Sequence, residues 1–171
     1  MNVKVRITRK LLSDVRADLL RPHPYASERV GFLYGRLGKA GVDSRLVLIT
    51  NYVPLVDCRY IDDPRSGARI DSQAIRDAMQ GVLDRGEGGF HVHMHHWPGR
   101  PMLSRMDTEE IPPVVAGLRR VGLAHAHGIV LLHAEECAAW VWLPGSDEAV
   151  EAMSVSVIGF PIKVFGGRDR E

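Results

Sequence analysis

Residues Gly88 to Asp107 read GGFHVHMHHWPGRPMLSRMD. In a strand, successive side chains point to opposite faces, so His91, His93 and His95 share one face while Val92 and Met94 point into the packing behind. Two imidazoles spaced by two residues can hold one ion. Ser104-x-x-Asp107 has the pattern of a helix start that brings an acid back toward the strand end, which makes Asp107 the candidate third ligand. Three ligands drawn from His and Asp leave one position of a tetrahedral zinc open for water, the catalytic arrangement rather than the closed structural one.

Upstream of this strand, Asp71 or Ser72 begins a helix with Ile75, Ala78, Met79, Val82 and Leu83 at helical spacing, and Gly86 to Gly89 ends it. Before that, Leu55 to Ile70 is polar and turn-rich and reads as a surface loop beside the site. Arg45 to Pro54 is a β-branched strand that pairs back, across a hairpin loop at Gly38 to Ser44, onto Glu28 to Gly35. That last segment reads as a central strand, closely approached at Gly31 or Gly35, with Glu28 at its mouth. The chain begins with an alternating strand, Asn2 to Ile7, and a helix capped by Thr8 that ends at Arg21-Pro22-His23-Pro24.

Downstream, Asp107 to Val121 fits a helix interrupted or begun afresh at Pro112-Pro113, because proline is tolerated only in the first turn. Strands are expected at Ala126 to His133 and Cys137 to Leu143, a short helix or turn at Glu148 to Val155, and a last strand at Ser156 to Phe165. Residues 166–171 read as a frayed tail, leaving 1–165 as one domain. The pattern is α/β (α+β), a mixed β-sheet flanked by a few helices.

At 171 residues the chain is long enough to bury a core without staples. Lys and Arg number 22 against 21 Asp and Glu, a formal charge of +1 that gives no electrostatic reason to expect nucleic acid as the main partner. The two cysteines, Cys58 and Cys137, argue against a disulfide framework and fit a reducing compartment. No apolar run is long enough to cross a bilayer and the amino terminus lacks an apolar core, so the expectation is a cytoplasmic protein without a membrane partner.

Each candidate has a plainer reading. The three histidines can be a polar strand face, Ser104 and Asp107 a helix cap, and Glu28 a surface acid. A residue can cap and also ligate, however, so these readings do not exclude the functional ones. His125, His127 and His133 are assigned to structure or surface. Cys137 has no basic neighbour in sequence to activate it as a nucleophile.

Taken together, Glu28…His91-x-His93…Ser104-x-x-Asp107 resembles the motif of the JAMM (JAB/MPN-domain, Mov34/MPN/PAD-1) metalloproteases of bacterial type. Glu28-x-x-Gly31-x-Leu33-x-Gly35 is similar to that family's glutamate strand, and Gly88-Gly89-Phe90-His91 to its approach to the histidine pair. The likeness runs in order through nearly the whole chain. It implies an MPN/JAB-like, cytidine-deaminase-like fold with His91, His93 and Asp107 as zinc ligands, Glu28 as general acid/base and Ser104 as polar stabiliser. There is one departure: the family places a proline directly after the second histidine and a shorter loop before the serine. Loop length therefore favours His93 and His95 as the ligand pair, whereas the approach residues favour His91 and His93, which is the preferred pair, with His95 as the alternative ligand.

The resemblance implies a zinc-dependent isopeptidase, deubiquitinase-like, that cuts after the C-terminal glycine of a ubiquitin-like protein, releasing it from a conjugate or a precursor. Its partners would be that tail and other proteins of a bacterial conjugation pathway. Processing of a ubiquitin-fold sulfur-carrier protein uses identical chemistry and is the second reading. A non-catalytic MPN scaffold is the third. Gly166-Gly167 is similar to the end of a ubiquitin-like modifier, which a flexible terminus explains more simply.

Overall fold

The computed structural model describes residues 2–63, 66–97 and 99–166. In chain order the elements are β1 (Asn2–Thr8), α1 (Arg9–Leu19), β2 (Val30–Lys39), β3 (Ser44–Pro54), β4 (Tyr60–Ile61), β5 (Arg69–Ile70), α2 (Ser72–Arg85), β6 (Gly88–Met94), α3 (Arg105–Val121), β7 (His127–Leu132), β8 (Cys137–Trp142), β9 (Ala149–Glu151), β10 (Ser154–Ile158) and β11 (Lys163–Phe165). Nine strands form one mixed sheet in the order β11-β10-β1-β3-β2-β6-β7-β8-β9, and β4 and β5 pair separately. β1 runs parallel to both β3 and β10, and β6 runs parallel to β7; the remaining pairs are antiparallel. This is a mixed α+β domain.

Alternation in the central strands sorts the side chains into two cores. Leu33, Phe90, Val92 and Met94 pack with Leu12, Val15 and Leu19 of α1, while Phe32 and Tyr34 pack with Ala78 and Val82 of α2 and Leu118 of α3. One face of the sheet is therefore covered by α1 and the other by α2 and α3. His91, His93 and His95 fall on the second face because Phe90, Val92 and Met94 occupy the first.

Local chemistry fixes the ends of these elements. The Thr8 side chain caps α1 by accepting from the Leu11 N–H, and the Asp71 side chain caps α2 by accepting from the Ala74 N–H. Gly86 ends α2 in the left-handed conformation, φ 59°. Both glycines of β2 are closely approached: a Cβ at Gly31 would stand 2.5 Å from the Tyr52 ring and one at Gly35 2.9 Å from the Leu48 carbonyl oxygen. Tyr52 crosses at Gly31 to donate its hydroxyl to Asp18.

Four expectations need correction. α3 runs unbroken through Pro112 and Pro113. The carbonyls that lose their donors belong to Thr108 and Glu109, both exposed, and the buried side chains of Ile111, Val115 and Leu118 hold the helix against the sheet. Glu148 to Val155 holds no helix: Val150 pairs with Val141 to make β9, and Ser154 opens β10. Ser156 to Phe165 is not a single strand either, because Gly159 at φ 149° and Pro161, which has no N–H for the ladder, turn β10 back as β11. Finally, Leu55 to Ile70 carries a short 3-10 turn at Asp57–Arg59 and the β4–β5 pair. Of the expected 166–171 tail only Gly166 lies among the described residues, and the Gly166-Gly167 reading extends beyond them.

Candidate metal centre

β6 and the residue that follows it present three histidines as a row of rings. The His91 and His93 centroids are 5.3 Å apart and those of His93 and His95 4.9 Å apart. His93 and His95 are each 1% exposed and His91 6%. Opposite them, α3 begins with Ser104 as its cap, and the Asp107 side chain accepts from the Ser104 N–H in return. This capping box turns the Asp107 carboxylate back from the helix toward the strand.

Three donor groups meet there. His93 Nε2 lies 3.2 Å from His95 Nε2, and Asp107 places Oδ1 3.2 Å from His93 Nε2 and Oδ2 3.3 Å from His95 Nε2. Ligands held about 2.0–2.1 Å from a tetrahedral zinc lie about 3.3 Å from one another, which the His93–His95 nitrogen separation matches, while Asp107 meets the two rings through different oxygens. His91 has no such pairing with Asp107 among the described residues; its ring lies between Phe32 and His93, 5.9 and 5.3 Å away. The geometry therefore departs from the preferred pair, His91 and His93: it brings together His93 and His95, the pair that loop length favours, and leaves His91 one step behind on the same face.

Glu28 closes the fourth side. It precedes β2, and its carboxylate shares a cluster with the His93 and His95 nitrogens in which all ligand atoms lie within 4.8 Å of one another. The segment before β5 holds it in place: the Glu28 N–H donates to the Gly67 carbonyl at 3.0 Å. A Cβ on Gly67 would stand only 3.0 Å from both Cδ and Oε2 of the Glu28 side chain.

Burial and neighbouring charges shift the titration of the groups in this cluster. Burial, reinforced by the neighbouring His93, pushes His91 down to about 3 and His95 down to about 4, so both rings are neutral at neutral pH. Burial works against the Asp107 carboxylate. The hydrogen bond from His93, its charge and the contacts with Ser104 overcome it and hold the acid well below the usual carboxylate range. Glu28 moves the other way: burial, aided by the Asp107 charge and opposed by His93, raises it above the ordinary glutamate value. An ionised carboxylate thus stands among the imidazoles with a more basic one across from it, the division of roles that acid–base chemistry needs.

The site lies in a cleft of about 500 Å³, with Gly67, Ala68, Arg69 and Ile70 on one side, Met106, Glu109, Glu110 and Pro113 of α3 on the other, and the histidines between them. A larger cleft, about 1270 Å³, is lined by Trp97, Arg100, His133, Glu135 and Glu136 and contains neither Glu28, His93 nor Asp107. Trp97 lines both.

Of the other histidines, His127 is fully buried, accepting from the Gly89 N–H at 3.1 Å and bonding the Gly122 carbonyl at 2.8 Å. His133 bonds the Gly99 carbonyl at 3.0 Å. Cys137 is buried and its thiol is pushed up to about 12 by burial, which leaves it inert. Sequence reasoning missed Gly67 and Trp97. Ser66-Gly67 reads in sequence only as a turn, with nothing that ties it to Glu28, but Trp97 continues the two-residue spacing of the histidines and was legible there.

No family model and no curated protein matches this sequence. Among solved structures, the STIL N-terminal domain of Trichoplax adhaerens is similar at 13% identity and a TM-score of 0.40, over 82% of this chain. This chain spans 41% of that neighbour's length, and a likeness of that strength carries no functional argument. No helix among the described residues is long and apolar enough to cross a membrane.

Proposed function

We propose that this chain is a zinc-dependent isopeptidase or peptidase of JAMM (MPN/JAB) type, cleaving after the C-terminal glycine of a ubiquitin-like protein. One observation carries the reading: the donor atoms of His93, His95 and Asp107 lie 3.2 to 3.3 Å apart, with the Glu28 carboxylate within 4.8 Å of both imidazole nitrogens. On this reading His93, His95 and Asp107 hold the ion. Zinc, when bound by such a set, polarises a carbonyl and brings the pKa of a coordinated water down to about 7.

The chain's own groups supply the rest. Glu28, with its raised proton affinity, accepts the proton of the attacking water and returns it to the departing amine. Ser104 Oγ already accepts from the Asp107 N–H at 3.1 Å, so its hydroxyl proton remains to donate toward the substrate carbonyl oxygen. The cleft suits an extended tail, since the backbone of Gly67 to Ile70 flanks one side of it and α3 the other. Glycines in that tail let its backbone pass close to the histidines without side-chain clashes.

The test combines metal analysis with cleavage. Purified protein should hold one zinc per chain and release Gly-Gly-terminated ubiquitin-like proteins from C-terminally extended precursors. Glu28→Gln should retain the zinc while cleavage falls by about two to four orders of magnitude. Full cleavage by Glu28→Gln would remove Glu28 from the reaction, and protein that takes up no zinc would end the proposal.

A further inference from the structure

The alternation of the histidine strand continues past the last residue of β6. His91, His93, His95 and Trp97 are spaced by two, and the final pair differs from the others. The histidine rings meet at 56° and 69°, whereas the Trp97 indole lies at 29° to the His95 ring with centroids 4.0 Å apart. Trp97 is 50% exposed and the ring beneath it 1% exposed, so the indole shields His95 from solvent.

An imidazole that ligates a metal is ordinarily held in orientation by a hydrogen bond from its other nitrogen to a carboxylate or carbonyl. His95 lacks that restraint: its Nδ1 is buried with no hydrogen-bond partner among the described residues. The same holds for His93, but His93 sits inside β6 with a ring on either side. His95 lies just beyond β6, tied by its N–H to the Leu132 carbonyl at 3.0 Å. Its ring is therefore set by packing, against His93, Trp97 and His133, the last at 5.6 Å. His133 also bonds the Gly99 carbonyl, fastening the loop that carries Trp97 to the end of β7.

We propose that Trp97 is the positioning residue of the metal centre: its indole, stacked on His95, takes the place of the absent hydrogen bond and keeps Nε2 directed at the ion. The contact strengthens when it matters, because an imidazole that has given its lone pair to a cation is electron-poor and favours the electron-rich face of an indole. This inference rests on the zinc reading above and adds a residue outside the motif that suggested it.

The test measures zinc affinity by competition with a chromophoric chelator. Trp97→Ala should bind zinc about ten- to a hundredfold more weakly than the unmodified protein, the range for losing an outer partner of a ligating histidine. Trp97→Phe should restore most of the affinity by covering the same face. Unchanged thermal midpoints of the metal-free variants would show that the loss is not unfolding. Cobalt(II) provides a second readout in the unmodified protein: bound at His95 it should quench tryptophan emission, and most of that quenching should vanish in Trp97→Phe while Trp140 and Trp142 still emit. Equal zinc affinity in Trp97→Ala and the unmodified protein, or no rescue by phenylalanine, overturns this proposal alone. An unmodified protein that binds no zinc overturns it together with the metal reading.

Discussion

Ser104 and Asp107 cap each other. The Ser104 N–H donates to Asp107 Oδ2 at 2.7 Å, and the Asp107 N–H donates to Ser104 Oγ at 3.1 Å. The same Oδ2 faces His95, so the start of α3 and the proposed metal centre share one carboxylate. Ser104→Ala is expected to lower stability by about 1 kcal/mol through loss of the cap. It should also weaken zinc binding, because Asp107 loses half of the arrangement that aims it. Urea denaturation of the metal-free protein and a zinc titration separate the two effects.

Between the two histidine pairs that the sequence offers, the distances favour His93 with His95. His95→Ala should abolish stoichiometric zinc uptake, and His91→Ala should leave it within a fewfold of normal. Zinc retained by His95→Ala and lost by His91→Ala would restore the other pair. Elemental analysis of the dialysed variants is sufficient.

Gly67 tests the positioning of Glu28. Its φ is not positive, so alanine brings no backbone strain there, and the change in stability should stay within about 0.5 kcal/mol. The added methyl nevertheless stands against the Glu28 carboxyl group. Turnover by Gly67→Ala should fall about tenfold with zinc content unchanged. A fall in zinc content instead would mean that the segment supports the ligands and not Glu28.

His127 governs part of the acid sensitivity. Burial lowers its proton affinity although the Gly122 carbonyl pulls the other way. Below about pH 6.5, the ordinary histidine value, the unfolded chain takes up a proton that the folded imidazole refuses. Stability is therefore complete above that pH and declines as the pH falls. His91 and His95, pushed down to about 3 and 4, act with the same sign. The thermal midpoint of the metal-free protein should drop between pH 7 and pH 5, and His127→Gln should make that drop smaller.

The histidine face was legible because a period of two has one geometric meaning, and the glycine-capped helix before it because Gly86 can adopt positive φ at no steric cost. The capping box was legible because Ser and Asp three apart is a local signal. What lay beyond the sequence was long-range. The proline pair inside α3 reads as a break until the burial of Ile111 and Val115 is known. The choice between His91 and His95 depended on how far the Ser104 turn carries Asp107 along the strand, which no local pattern states. Gly67 meets Glu28 only through the fold of the intervening chain.

The parallel pairing of β1 with β10, Lys4 opposite Ser154 through Thr8 opposite Ile158, joins segments about 150 residues apart in the chain. On a ribosome β1 emerges before β10 and waits with one side unsatisfied until the intervening chain has been made. Contacts of such span slow folding, because the entropy of closing the loop is lost before the ladder forms. Deleting the chain from Ser154 onward would therefore lay bare β1 as a new edge, a template for self-association, without touching a single residue of the histidine cleft.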